Sequence, residues 1–379
     1  MPFTNNSTVA TFLELGVSKD LVKGLKELDI ITPSEIQEAT IPALISAPMD
    51  FIGQAQTGTG KTAAFGLPLL SNIDPKNDKV QALILSPTRE LCQQIAKQLF
   101  KFTKYTDKVF IESVYGGAKI DEQISRLRRP TQIVVATPGR LVDLIGKGAI
   151  NLSQVQTVVL DEADEMLSMG FKKELNQILD VTAGERNIWL FSATMSPDVK
   201  KIISTYLSQK AMKVEFKKKS LVNESIEHNY VVTEVPQKLQ VLLSFLNSQQ
   251  ANRGLIFCNT KAVAQTLSKQ LLAKNIQTAA LEGDMKQKER DKVLRAFKNE
   301  AVQVLVATDV AARGIDVKDL AYVVHYQVPQ DLEYFIHRAG RTGRAGKKGL
   351  SLCIIEEKEQ KTIRFLEKEL KIKMQRIKD

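Results

Sequence analysis

Cysteine is scarce in this chain: Cys92, Cys258 and Cys353 are the only three in 379 residues, and none lies in a Cys-x-x-Cys pair. That excludes a disulfide framework and a thiolate zinc knuckle, and it fits reduced thiols filling core gaps in a cytoplasmic protein. Histidine is equally scarce, with only His228, His325 and His337, so a histidine-rich metal centre is not expected. No stretch reaches the roughly 20 apolar residues of a membrane-spanning helix. The opening residues, Met1 to Asn6, have neither the basic nor the apolar region of a secretory leader, so no membrane association is expected. The single tryptophan, Trp189, sits in an apolar run and is expected in the core.

Positive charge, by contrast, is in excess: 53 Lys and Arg stand against 43 Asp and Glu, a net +10. Such a balance favours a polyanionic partner, nucleic acid before membrane surface. A hydrophobic fraction of 43% supplies apolar material for two cores, and the length suggests about two or three domains.

Short β-rich apolar runs alternate with longer amphipathic segments. Ala82–Leu85, 132–136, Thr157–Leu160 and 188–191 read as buried strands, each followed by polar or Gly/Pro residues and then a helical pattern. This is the grammar of βαβ units and a parallel sheet. It breaks near 213–225, where a short strand at 212–216 leads into Lys217-Lys218-Lys219-Ser220. It then resumes with strands at 254–258, 278–281, 302–307, 321–326 and 350–355. We therefore expect an N-terminal α/β domain over 1–216, a linker over 217–225 and a second α/β domain over 226–379. A closing helix is expected to bury Ile363, Leu366, Leu370, Met374 and Ile377 along one stripe.

The residues Ala55-Gln56-Thr57-Gly58-Thr59-Gly60-Lys61-Thr62 fit G-x-x-x-x-G-K-[ST] except at Ala55. Gly58 and Gly60 can turn backbone N–H groups onto phosphate oxygens, Lys61 can reach the β- and γ-phosphates, and the Thr62 hydroxyl suits Mg²⁺. The helix that follows adds its positive dipole end. Asp161-Glu162-Ala163-Asp164 follows an apolar strand. At that position Asp161 is expected on the metal side of a phosphate site, reaching Mg²⁺ through water, and Glu162 is expected to orient and deprotonate the attacking water. His337-Arg338-Ala339-Gly340-Arg341-Thr342-Gly343-Arg344 carries two arginines three apart. Arg341 and Arg344 can fork onto a γ-phosphate and stabilise its developing charge from the second domain.

With these motifs in this order, the chain resembles the DEAD-box ATP-dependent RNA helicases of superfamily 2 over about Phe12 to Gly346. The resemblance implies two tandem RecA-like domains, each a mostly parallel sheet flanked by helices, and ATP with Mg²⁺ as the nucleotide and metal. Ala55 in place of Gly is common in that family. In Thr32-Pro33-Ser34-Glu35-Ile36-Gln37, Gln37 is expected on the adenine edge, with Phe12 upstream; Ile30 stands where the family usually has an aromatic. Ser192 and Thr194 resemble the segment that couples hydrolysis to unwinding, bonding the Asp161–Asp164 segment and, on closure, the region of His337. Asp316 resembles the ribose contact.

The family's RNA-facing positions carry over to Pro87, Thr88, Arg89, Gly116 and Gly117, and to Thr137, Pro138, Gly139 and Arg140. In the second domain they fall on Thr260, Gln287, Arg290, Thr308, Arg313 and Gly314. Hydroxyls, glycine amides and arginines suit phosphate and sugar rather than base edges, so RNA binding with little sequence preference is expected. The implied activity is RNA-stimulated ATP hydrolysis with local unwinding by a monomer. An RNA clamp without unwinding, and a DNA helicase of the same superfamily, are the alternatives.

Overall fold

The computed structural model describes residues 10–55, 58–182, 184–216, 223–283, 285–312, 320–329, 331–343 and 347–377. The chain divides into two compact units, Met1–Phe216 and Lys217–Asp379. The first unit holds strands β1 (Phe51–Gln54), β2 (Ala82–Leu85), β3 (Ile111–Val114), β4 (Ile133–Ala136), β5 (Thr157–Leu160), β6 (Asn187–Ser192) and β7 (Met212–Glu215). The second holds β8 (Ile226–Val232), β9 (Gly254–Phe257), β10 (Thr278–Leu281), β11 (Val304–Ala307), β12 (Tyr322–His325), β13 (Gly349–Ile355) and β14 (Gln375–Arg376).

Within each unit the described strands form one parallel sheet, in the order β3-β4-β2-β5-β6-β1-β7 and β10-β11-β9-β12-β13-β8-β14. The second order is the first with every strand advanced by seven. Helices cover both faces, which is why the central strands read as unbroken apolar runs. In β4, Ile133 and Val135 enter one core while Val134 and Ala136 enter the other. In β11, Val304 and Val306 divide from Leu305 and Ala307 in the same way. Each unit thus has the RecA-like layering implied by the resemblance.

Trp189 is buried in β6 and its indole N–H donates to Met49 O at 3.1 Å. All three cysteines are buried as free thiols. Among the described residues no helix is long and apolar enough to cross a membrane.

Four strands, β1, β3, β8 and β14, fall outside the sequence reading, and for two of them the physical reason is plain. β3 is an edge strand with only Val114 fully buried, and β8 mixes Glu227, His228 and Asn229 among its apolar residues. The closing helix also differs from expectation: it spans Gln360–Leu370 and stops at Lys371, whose φ is +54°. Gln375 and Arg376 then pair with β8 as an edge strand. Met374 and Ile377 still reach the cores, but from extended backbone. Of the expected linker, residues 217–222 lie outside the described residues.

Candidate functional site

In parallel sheets of this kind, ligands meet the loops at the carboxyl ends of the strands. After β1 the chain turns through Gly58 (φ +83°) and Gly60 (φ +91°), a left-handed backbone that side-chain-bearing residues rarely adopt, and enters the helix Lys61–Asn72. Lys61 is buried and donates from Nζ to Ala55 O at 3.2 Å. Thr62 follows, half-buried, in the first helical turn. Gln56 and Thr57 lie outside the described residues.

The helix Glu35–Ser46 braces this turn. Gln37 donates from Nε2 to Gly60 O at 3.0 Å and accepts at Oε1 from the Ser34 N–H at 2.9 Å. Ser34 Oγ donates to Thr59 O at 2.9 Å. A Cβ at Gly60 would stand 2.5 Å from Gln37 Nε2. Gln37 therefore supports the glycine turn, while each end of its amide keeps a second hydrogen or lone pair. Phe12 is buried in the core of the unit, and Ile30 packs against that core.

Asp161 leaves the end of β5 with its side chain buried and its Oδ1 without a hydrogen-bond partner among the described residues. Burial drives its carboxyl up to about 7, opposed by the Lys61 ammonium and reinforced by Glu162. Glu162 takes φ +54° at the head of the helix Ala163–Ser168 and is half-buried. A non-glycine residue in that region stores backbone strain.

Asp164 grips the segment after β6. Its Oδ2 accepts from the N–H groups of Ala193 and Thr194, at 3.1 and 2.8 Å, and from Thr194 Oγ1 at 3.0 Å. Ser192 Oγ accepts from the Asp164 N–H at 3.3 Å and donates to Thr194 O at 2.7 Å. The backbone after β5 is thereby locked to the backbone after β6.

A second group gathers over β2, β4 and β3. Thr88 caps the helix Arg89–Phe102, accepting from Leu91 N at 3.3 Å, with Pro87 buried beside it. A Cβ at Gly117 (φ +84°) would overlap the Arg89 guanidinium. The Gly116 N–H donates to Thr137 Oγ1 at 3.4 Å, and Arg140 Nη2 donates to Ala118 O at 3.1 Å. Thr137, Pro138 and Gly139 open the helix Pro138–Gly146 that carries Arg140.

In the second unit, Thr260 caps the helix Lys261–Leu272, accepting from Val263 N at 3.3 Å. Gln287 and Arg290 share the helix Gln287–Lys298; Gln287 donates to Asp291 Oδ1 at 2.8 Å and Arg290 Nη2 to Ala311 O at 2.8 Å. Thr308 follows β11 directly and is buried. His337 lies on the helix Leu332–Ala339, and Arg341 occupies the turn after it, half-buried. Arg313, Gly314, Asp316 and Arg344 lie outside the described residues.

Arg338 was not singled out by the sequence reading, and it ties this edge together. Its guanidinium forks onto Asp309, with Nε–Oδ1 and Nη2–Oδ2 both at 2.6 Å. It also donates to Gln327 O at 2.7 Å and Asn259 Oδ1 at 2.9 Å. One buried cation thus joins the loops after β9, β11 and β12, and its charge is fully met by the carboxylate and carbonyls around it.

The sequence pattern of the DEAD/DEAH box helicases matches residues 34–202. That of the helicase conserved C-terminal domain matches 237–346. Among curated proteins, the chain is 42% identical over 364 residues to the ATP-dependent RNA helicase CshA of Limosilactobacillus reuteri, covering 96% of this chain and 72% of that protein. It is 39% identical over 370 residues to the DEAD-box ATP-dependent RNA helicase CshA of Geobacillus kaustophilus, covering 98% and 79%. Among solved structures, Saccharomyces cerevisiae Dbp5 bound to RNA and ADP BeF3 aligns with TM-score 0.89 at 30% identity, covering 97% of this chain and 95% of that one. Mss116p bound to ssRNA and AMP-PNP aligns with TM-score 0.89 at 28% identity, covering 100% and 82%.

Proposed function

The chain belongs to the DEAD/DEAH box helicase family, and from that premise we propose that it is an ATP-dependent RNA helicase. In this reading, RNA-stimulated ATP hydrolysis closes the two units and separates short RNA duplexes locally, without processive travel. The observation that carries the nucleotide half is the buried Lys61 with the buried Asp161 carboxylate, whose Oδ1 has no hydrogen-bond partner among the described residues, both at strand ends of one sheet.

The phosphates lie on the N–H groups of the Gly58–Gly60 turn and on Lys61, with Gln56, Thr57 and Thr59 completing the loop. Gln37 meets the adenine edge, favouring ATP over GTP because the two bases present opposite donor and acceptor patterns. Asp161 and the Thr62 hydroxyl fit a divalent cation: a buried carboxylate whose Oδ1 has no hydrogen-bond partner among the described residues is stabilised in its ionised form by a positive charge. Asp161 and Thr62 would hold Mg²⁺ there, and it would supply charge neutralisation at the phosphates. Glu162 orients the attacking water and accepts its proton. Arg341 and Arg344 reach the γ-phosphate from the second unit on closure, and Asp316 meets the ribose. The lock of Asp164 on Ala193 and Thr194 supports a coupling role for Ser192 and Thr194, with His337 as its counterpart on closure.

RNA runs over the hydroxyls, glycine amides and arginines at the sheet edges, Thr88, Arg89, Gly116, Thr137 and Arg140 in the first unit among them. These groups suit phosphate and the 2′-hydroxyl, so sequence preference is weak. Buried free thiols fit a cytoplasmic site of action.

Displacement of a short RNA duplex by the purified chain tests this reading. Strand release with ATP is expected, and Glu162→Gln should abolish it while preserving ATP-dependent RNA binding. Robust ATP turnover with no strand release would favour the RNA clamp instead. An unimpaired Glu162→Gln enzyme would remove Glu162 from the role of base.

A further inference from the structure

Residues 223–225, read from the sequence as the end of a linker, pack on the turn that follows the helix Leu332–Ala339. Asn223 lies three residues ahead of β8 and is half-buried. Its Oδ1 accepts from the Ser225 N–H at 3.1 Å, and its main-chain carbonyl accepts from the Ile226 N–H at 3.0 Å. An asparagine that closes a turn on its own backbone two residues on is held in one orientation. Its Nδ2 is thereby aimed at Gly343 O, to which it donates. One partner is a donor and the other an acceptor, so only this orientation of the amide satisfies both.

The receiving turn is tight. The Arg341 N–H donates to Arg338 O at 3.1 Å and the Thr342 N–H to Ala339 O at 3.2 Å, so the helix runs on into the turn. Thr342 is buried; its Oγ1 donates to Leu320 O at 2.5 Å, and the two residues pair as an isolated bridge. Gly343 takes φ +67°, and a Cβ there would stand 2.6 Å from Ile226 Cγ1. A Cβ at Gly349 would stand 2.4 Å from Gly343 N. Ile226 and Gly349 are the first residues of β8 and β13 and lie opposite each other in the sheet. The turn therefore rests on the first rung of two strands, and the amide of Asn223 clasps it from the side.

We propose that Asn223 is a positioning residue for ATP hydrolysis: its amide anchors Gly343 and so holds the turn in the orientation from which Arg341 meets the γ-phosphate. The proposal rests on the reading of Arg341 as that phosphate contact. A guanidinium stabilises developing charge only from a fixed place, because its advantage over water is that it need not reorganise. Without the anchor the turn can shift. The chemical step then slows, while the affinity for ATP, set by the phosphate loop of the first unit, is kept.

The test is ATP turnover by the purified chain at saturating RNA. Asn223→Asp keeps the size of the side chain and the acceptor for the Ser225 N–H but loses the donor to Gly343 O. It should lower kcat about tenfold, short of the ~10²-fold that an ångström of misplacement can cost, with the KM for ATP nearly unchanged. In an Arg341→Ala background the same substitution should cause no further loss, because it acts through that arginine. Wild-type kcat in Asn223→Asp, with or without a lower Tm, would overturn the inference, and so would an equal loss in both backgrounds. If Arg341→Ala itself leaves turnover unchanged, the γ-phosphate role of Arg341 fails first and takes the inference with it.

Discussion

Lys61 and Lys238 occupy the same place in two sheets of the same order, each the first residue of the helix that follows the corresponding strand, β1 or β8. Both are buried. In the first unit the lysine follows a turn of left-handed glycines and bonds a backbone carbonyl. In the second the preceding residues, Val235 to Gln237, form a glycine-free 3-10 turn containing Pro236, and Lys238 faces two carboxylates, Glu356 Oε1 at 3.9 Å and Glu359 Oε2 at 3.6 Å. Glu356 and Glu359 come from the segment just beyond β13, the counterpart of the segment beyond β6 that begins with Ala193 and Thr194. The comparison teaches that the fold supplies a position and the loop decides its use. One unit gives its lysine a backbone carbonyl, which in our proposal leaves it for an external anion; the other sets it between two carboxylates.

The largest contrast should appear on substituting the two lysines. Lys61→Ala should cost at least ~10²-fold in ATP turnover, the usual loss for removing one charge-stabilising donor. Lys238→Ala should leave the KM for ATP nearly unchanged. Comparable losses in both would break the assignment of the nucleotide to the first unit alone.

Next in size is the response to acid, where the units should move in opposite directions. All three histidines belong to the second unit. Burial pushes His228 down to about 4, and both its ring nitrogens lack partners among the described residues. His325, stacked on Phe335, is held well below its usual value by burial and then by Arg338. Below pH 6.5 the unfolded chain takes up protons that these folded histidines refuse, so the second unit loses stability as pH falls. His228 alone accounts for roughly 3 kcal/mol by pH 4. Asp161 has the opposite sign. Its folded carboxyl, raised from 3.8 to about 7, holds a proton that the unfolded chain releases, so its contribution is present at low pH and lost as pH rises through about 7. Hydrogen exchange followed separately in each unit, in metal-free buffer between pH 4.5 and 7.5, should show the second unit loosening in acid relative to the first. Parallel changes would contradict the opposed burial of Asp161 and the histidines.

Lys238→Met should also lower the stability of the second unit slightly, because Glu359 would lose its cation while Glu356 would keep only Lys358. Trp189, the chain's single tryptophan, reports on the first unit, so its fluorescence transition should stay in place while the second unit melts earlier. The smallest contrast sharpens the likeness rather than the difference. Thr88→Ala and Thr260→Ala remove caps of the same geometry and should each cost about 1 kcal/mol to their own unit. A several-fold disparity in denaturant unfolding would mean that the repeat is one of backbone course only.

Much of this was legible in the sequence. Strands buried on both faces announce themselves as apolar runs, and the phosphate loop, the Asp161–Asp164 segment and the His337–Arg344 cluster are contiguous, so spacing alone reveals them. What escaped depends on contacts between distant residues. Lys238 is one lysine among many until Glu356 and Glu359 are brought to it, and Arg338 gains its place only when Asn259, Asp309 and Gln327 converge. The bracing of Gly60 by Gln37 was equally hidden, because a glutamine read for its base contact gives no sign that its amide also supports the loop. The edge strand β3 and the strand β14 lacked hydrophobic contrast, and the closing helix ran too long in the reading because Met374 and Ile377 reach the core from extended backbone.

The most direct test of the account is ATP turnover by the purified chain with no nucleic acid, with single-stranded RNA, and with DNA of matched sequence. Low basal turnover, strong stimulation by RNA and little by DNA are predicted. Stimulation by DNA equal to that by RNA would contradict it.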